Sequence, residues 1–266
     1  MAVAYEASLG GVPVNQNPSS PEECADTIAL TSANLVVLHV EAYDDGSDTW
    51  VFNGAELGDG GSNWESMTEI TSASFREDFG TDADYGTSYY LENPTLSYDT
   101  IRVSFTGTPG LGTSGHNFSY AACAVTGANV GGTEAALFPT TINTGYQASG
   151  SATKTLTMSG GSSGDMGLAM HCGYDAGTND ADVTVSTGAT QRELGNETGF
   201  DTVWGVGTND YANDSDIDIT IGESYSWALY HIAQSSGSGP VITDVNTTES
   251  WTDGDTGLVI TGTGFV

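Results

Sequence analysis

The chain has 266 residues, with 35 Asp and Glu against 4 Lys and Arg, and its formal net charge at pH 7 is −31. Proteins that act mainly on nucleic acid or on an anionic membrane surface need clustered Lys and Arg, so this composition excludes both classes. With 38% hydrophobic residues, the chain is too apolar for a disordered acidic tail, and we expect a folded protein.

Short runs rich in Val, Ile, Thr and Tyr recur along the chain, and no long segment keeps the apolar spacing of a helix. We therefore predict an all-β protein. In chain order, the predicted strands cover residues 35–43, 50–52, 66–75, 87–92, 100–106, 117–125, 154–158, 166–174, 182–186, 202–206, 217–221 and 225–233. Since all-β domains of this size often remain single, we predict one β-sandwich over residues 1–234.

Residues 235–239 read Ser-Ser-Gly-Ser-Gly, which is typical of a flexible linker. The sequences Pro-Val-Ile-Thr-Asp-Val at 240–245 and Leu-Val-Ile-Thr-Gly-Thr-Gly-Phe at 258–265 resemble the first two strands of an immunoglobulin-like IPT/TIG module. The resemblance implies a partial immunoglobulin-like domain over 240–266. Because two strands cannot close a sandwich, we expect either that the native polypeptide continues past Val266 or that another subunit supplies the missing strands.

The large domain also carries short motifs, at residues 49–57, 88–94, 101–107 and 121–127. They resemble a jelly-roll-like module found in bacteriophage and archaeal-virus virion proteins and in some bacterial surface proteins, with a Trp-containing strand followed by an Asn-Pro turn. The resemblance implies a jelly-roll-like β-sandwich with a virion or surface structural role. It identifies no catalytic residue.

Chemistry-bearing residues are sparse. Histidines occur inside three predicted strands, at His39, His171 and His231, without HxH or HExxH spacing, so we expect packed sheet residues rather than metal ligands. No GxSxG motif is present, and the occurrence of Ser114 two residues before His116 in a Gly-rich loop is typical of loop composition. We predict no enzyme.

The cysteines, Cys24, Cys123 and Cys172, are odd in number and lack CxxC spacing, so we expect buried thiols, with one disulfide pair left open. The chain contains no long apolar run and no basic and apolar leader at its start. We therefore expect neither membrane insertion nor a signal peptide.

Asp-rich loops are candidate calcium sites, because Ca²⁺ takes six to eight hard oxygen ligands. The candidate ligands are Asp44, Asp45, Asp48, Asp214 and Asp216. None of these loops matches the EF-hand pattern, so a solvated acidic rim is the alternative. No other cofactor is predicted. The candidate glycan-stacking side chains are Trp50, Trp64 and Trp204, residues that equally serve as core or loop anchors.

These features favour a non-enzymatic virion protein, a capsid decoration or a head or tail fibre-base subunit of a tailed virus. Its expected partners are capsid or tail proteins and copies of itself. The alternative is a carbohydrate-binding or adhesin module that binds host surface glycans. At a charge of −31 the copies repel one another at low ionic strength, so we expect assembly to strengthen with salt or divalent ions.

Overall fold

A computed structural model describes residues 1–12, 20–44, 51–79, 82–106, 118–147, 152–158, 160–174, 184–185, 189–197, 202–210, 216–221 and 225–235. The chain divides into two units, Met1–Ser235 and Ser236–Val266. The second unit holds most of the predicted linker and the IPT/TIG-like segment. It lies outside the described residues, so that resemblance stays a prediction.

The first half of the large unit contains ten strands among its described residues. They are β1 (Ala4–Gly11), β2 (Glu22–Thr27), β3 (Leu35–Asp44), β4 (Val51–Gly58), β5 (Trp64–Ser66), β6 (Thr68–Glu69), β7 (Phe75–Phe79), β8 (Asp82–Glu92), β9 (Thr100–Thr106) and β10 (Phe118–Thr126). The predicted strand at 66–75 is instead β5, β6, a 3-10 turn over Thr71–Ala73 and the start of β7.

The second half begins with a single helical turn, α1 (Glu134–Leu137), which is capped by the hydroxyl of Thr133. The described residues after it form eight strands: β11 (Asn143–Gln147), β12 (Ala152–Thr157), β13 (Met166–Tyr174), β14 (Thr184–Val185), β15 (Thr190–Glu197), β16 (Thr202–Asp210), β17 (Asp216–Ile221) and β18 (Tyr225–Ile232). The all-β prediction is confirmed. No helix among the described residues is long and apolar enough to span a membrane.

The strands form four antiparallel sheets. Sheet I has the order β2-β9-β4-β5, and sheet II has the order β1-β10-β3-β8, with β6 and β7 both paired to β8. Sheet III has the order β11-β18-β13-β16-β15, and sheet IV has the order β12-β17-β14. In each half the first strand pairs with the last, the second with the second-last and the third with the third-last. This is the strand order of a jelly roll, and the unit contains it twice.

The sheets stack in the order I, II, III, IV, with one hydrophobic core in each of the three spaces between them. A single sandwich has two sheets, so the prediction of one sandwich over the whole unit differs from the structure. The reason lies in strands such as β18, whose eight residues are all buried. A strand that is apolar on both faces needs a sheet on each side, whereas the outer strand β17 alternates between half-buried and buried positions.

The two halves also share their strand register. Ala121 of β10 lies opposite His39 of β3, and Ala228 of β18 lies opposite Met170 of β13. Each alanine follows a serine and an aromatic residue, Ser-Tyr at 119–120 and Ser-Trp at 226–227. In both halves the alanine faces the core between sheets II and III, and the aromatic residue before it faces the outer core of its own half. Since side chains alternate along a strand, the serines of both halves also face the space between sheets II and III.

Candidate functional site

Every basic side chain of the protein is stacked on an aromatic ring. The pairs, with the distance from the cation to the ring centroid, are Arg76 on Tyr85 at 4.4 Å, Arg102 on Trp64 at 3.9 Å, Lys154 on Trp227 at 4.2 Å and Arg192 on Tyr5 at 4.3 Å. Arg102 also forms an ion pair with Glu56, at 2.6 Å between Nε and Oε2. The few positive charges thus stabilise the fold.

Sheets I and II form the first sandwich, and sheets III and IV form the second. An open cleft of about 340 Å³ lies at the edge of the first sandwich, near the start of β4 and near β6 and β7, which both pair with β8. Its lining residues are Val51, Phe52, Glu69, Ser74, Phe75, Arg76, Tyr85, Gly86 and Thr87. This volume is at the low end of the about 300–1,000 Å³ found for ligand sites. A Cβ at Gly86 would lie 1.9 Å from the Phe75 ring, so only glycine lets this ring cover the strand.

The carboxylate of Glu69 is held in a fixed orientation in this cleft. Its Oε1 accepts a hydrogen bond from Oγ of Ser74 at 2.9 Å and a longer one from Oγ1 of Thr87 at 3.4 Å. The two hydroxyl oxygens lie 2.7 Å apart. Oε2 makes no hydrogen bond with the described residues, and the side chain is exposed. Glu69 therefore presents an oriented acceptor to the cleft.

Tyr85, which also lines the cleft, carries a buried hydroxyl. The side chain is 9% exposed, and its hydroxyl has no hydrogen-bond partner within the described part of the chain. Burying an unpaired hydroxyl costs about 1–3 kcal/mol. The cleft lining thus combines aromatic side chains with an oriented carboxylate and a guanidinium.

A buried hydrogen-bond chain joins sheets II and III through His39. Its Nδ1 lies 2.9 Å from Oγ of Ser88, and its Nε2 lies 3.1 Å from Oγ of Ser226. Ser226 donates to the carbonyl of Cys172, so it accepts from the Nε2–H of His39. Ser88 then donates to Nδ1 and accepts from the hydroxyl of Tyr230. Burial lowers the pKa of His39 to about 3, so the ring is neutral and links the two sandwiches.

The imidazole ring of His231 is hydrogen-bonded on one side to the hydroxyl of Thr140 and on the other side to the carboxylate of Asp165. Nδ1 of His231 lies 2.7 Å from Oγ1 of Thr140, and its Nε2 lies 2.8 Å from Oδ2 of Asp165. The carboxylate also accepts from the backbone N–H groups of Ser162 and Gln234, each at 2.8 Å. Burial acts to raise the Asp165 pKa, but these hydrogen bonds outweigh it and lower the pKa. The His231 ring is fully buried, so we interpret this group as structural. It is a clamp in the sense that its hydrogen bonds connect the loop that precedes β13 to the end of β18.

The predicted calcium ligands fall mostly outside the described residues. Asp45, Asp48 and Asp214 do so entirely, and the side chain of Asp44 is not described. Asp216 begins β17 and is half-buried. Among the described residues, no group of three His, Cys, Asp or Glu side chains is placed to hold a metal ion. The calcium site therefore stays a prediction.

The predicted glycan-stacking tryptophans have structural contacts where they are described. Arg102 covers the ring of Trp64. Trp204 is 9% exposed, and a Cβ at Gly10 would lie 2.0 Å from its ring. These contacts suit core or loop anchors, and the glycan-stacking role of the two rings stays a prediction. Trp50 lies outside the described residues.

The strand histidines lie in three separate environments and share no site. His171 faces the core between sheets III and IV, 6.0 Å from the ring of Tyr225. Burial, with a smaller contribution from His39, lowers its pKa to about 3, and its Nε2 has no hydrogen-bond partner among the described residues. The cysteines, Cys24, Cys123 and Cys172, are buried and free, which confirms the prediction of buried thiols.

Sequence reasoning missed the cleft, because no motif connects its residues. Glu69 and Arg76 flank the 3-10 turn, whereas Tyr85 and Thr87 lie on one face of β8. The period-two spacing of Tyr85, Thr87 and Tyr89 was the one available signal, since it places an aromatic-rich face on a strand.

Comparison with known proteins gives no match: no family model, no curated protein and no solved structure matches this chain.

Proposed function

We propose that this chain is a non-enzymatic structural protein of a virion, a capsid decoration or fibre-base subunit of a tailed virus. The observation that supports the proposal is the jelly-roll strand order, present twice in one unit. Jelly rolls form viral capsid domains and also lectin domains. One fold hosts many functions, so the location of the chain in the particle is tested directly.

The buried interface between sheets II and III supports the proposal that the unit is rigid. In the hydrogen-bond chain through His39 every N–H and O–H donor has an acceptor, and the chain crosses between sheets II and III, each of which has a hydrophobic core on both faces. A fully satisfied buried network favours one packing arrangement over others. A rigid pair of sandwiches suits a subunit that keeps its shape within an assembly.

The charge supports assembly with partners that screen or neutralise acidic surface. The four basic side chains are stacked on aromatic rings of the chain itself, and the net charge of the chain is −31. Capsid or tail proteins and further copies of the chain would therefore contact a strongly acidic protein. Screening shortens the Debye length from about 10 Å at 0.1 M salt to about 3 Å at 1 M. We expect self-association, measured by light scattering, to increase with NaCl and CaCl₂.

The test of location is quantitative mass spectrometry of gradient-purified particles from the source of the sequence. We expect the chain to copurify with the major capsid protein at a fixed molar ratio in every fraction that contains particles. Recovery of the chain only in the particle-free fractions would contradict the proposal.

A second function, a carbohydrate-binding or adhesin module, is favoured by one observation, the cleft at Glu69 and Tyr85. In that case the chain would bind glycans without belonging to a particle. The mass spectrometry result separates the two locations, and sugar binding is tested independently.

A further inference from the structure

The geometry points to the cleft around Glu69 as a binding site for a neutral polyhydroxylated ligand, one or two sugar rings. This inference does not depend on the proposed virion function, because the same cleft would serve a decoration protein or a free adhesin.

The charges near the cleft disfavour an anionic ligand. The exposed carboxylate of Glu69 stands in the cleft, and the whole chain carries a charge of −31. The guanidinium of Arg76 is the positive group in the lining, and it lies against the ring of Tyr85. A phosphate, a sulfate or a sialic acid would meet repulsion from Glu69 at close range and from the rest of the surface at low salt.

The stacking of Arg76 disfavours a cationic ligand. Aromatic rings beside a carboxylate form cages for quaternary ammonium groups, which need free ring faces. Here the guanidinium of Arg76 occupies a face of Tyr85, 4.4 Å from the ring centroid. An ammonium ligand would have to sit beside a fixed like charge.

The remaining groups match a sugar. Each sugar hydroxyl can donate a hydrogen bond, and Oε2 of Glu69, which belongs to an exposed side chain of the cleft and makes no hydrogen bond with the described residues, can accept one. The C–H face of a sugar ring is apolar and fits the walls formed by Phe52, Phe75 and Val51, of which Val51 is 50% exposed. Ser74 and Thr87 hold Oε1 of Glu69, so the acceptor is oriented before a ligand arrives.

The test uses the full chain and saturation-transfer NMR with uncharged methyl glycosides of glucose, galactose, mannose and N-acetylglucosamine. Choline chloride and sodium sulfate are the charged probes at matched ionic strength. We expect saturable binding of at least one glycoside with a Kd on the order of 1 mM, as ligand efficiency predicts for a single ring. Neither charged probe should saturate.

The deciding variant is Glu69→Gln, which keeps the shape of the side chain and removes the charged acceptor. We expect its Kd for the glycoside to rise about tenfold or more. Glu23→Gln is the matched control, since Glu23 is exposed on β2 and is not part of the cleft lining. It should bind as the wild type does. Ser74→Ala, which frees the orientation of Glu69, should weaken binding severalfold and replaces Glu69→Gln if that variant does not fold.

The inference is overturned if no glycoside saturates, if choline or sulfate is the probe that binds, or if Glu69→Gln binds the glycoside as tightly as Glu23→Gln does. None of these outcomes depends on whether the chain copurifies with particles, so this inference and the proposed function fail separately.

Discussion

Lowering the pH from 7 to 5 is expected to destabilise the folded protein by about 4 kcal/mol, through His39 and His171. Both rings are buried, and burial lowers the pKa of each to about 3 from a reference value of 6.5. Between these values the unfolded chain binds a proton that the folded chain does not bind. The free energy of unfolding therefore falls as the pH falls through this window.

The magnitude follows from the two pKa values. At pH 7 the unfolded histidine is mostly neutral, whereas at pH 5 it is almost fully protonated, and the difference is about 2 kcal/mol for each ring. Carboxyl groups with lowered pKa values, such as Asp165, lose their contribution only near and below their reference value of 3.8. A lower limit of pH 5 thus isolates the histidines from acid effects on these carboxyls.

The assay is urea unfolding followed by tryptophan fluorescence at pH 7, 6 and 5 in 1 M NaCl, where surface charge effects are screened. The variant His171→Leu removes one buried titrating ring together with its unpaired Nε2. We expect it to lose about half as much stability as the wild type between pH 7 and 5. The comparison cancels every other titrating group, so identical pH dependence of the two proteins would refute the assignment of a buried neutral His171.

Three further changes test the packing. Ser226→Ala should lower the free energy of unfolding by about 1–3 kcal/mol, because it leaves the buried Nε2–H of His39 without an acceptor, and a loss below 1 kcal/mol would contradict the hydrogen-bond chain. Gly205→Ala should destabilise the protein by about 1–3 kcal/mol, since the new Cβ would lie 2.1 Å from the His171 ring. Gly54→Ala is the control and should change stability little, because no atom lies within 4 Å of the new Cβ. Equal denaturant midpoints of the two variants would refute this difference. Asp165→Asn should lower the thermal midpoint by several degrees, because the amide replaces a carboxylate that accepts three charge-assisted hydrogen bonds, and an unchanged midpoint would contradict the clamp.

The sequence by itself determined the all-β class, the acidic character and the strongest strands. Strands β3, β13 and β18 carry long apolar runs, and β9 and β17 carry apolar residues at every second position, so hydrophobic pattern alone places them. Strands β2 (EECADT), β11 (NTGYQ) and β15 (TQRELGNE) were missed, since their polar sequences carry no such pattern. They become strands because they pair with β9, β18 and β16.

Only the tertiary structure decided how many sheets stack and where the cleft and the buried network form. The pattern of a strand records which of its faces are buried, and the continuous burial of β18 was visible in the sequence as Trp-Ala-Leu-Tyr-His-Ile. The pattern does not record which sheet covers each face, because the covering sheet can come from a distant part of the chain. His39 and Ser226, for example, form a hydrogen bond although 187 residues separate them in the sequence. The cleft at Glu69 is likewise assembled from separate strands, so its chemistry follows from the packing of the sheets and not from any local motif.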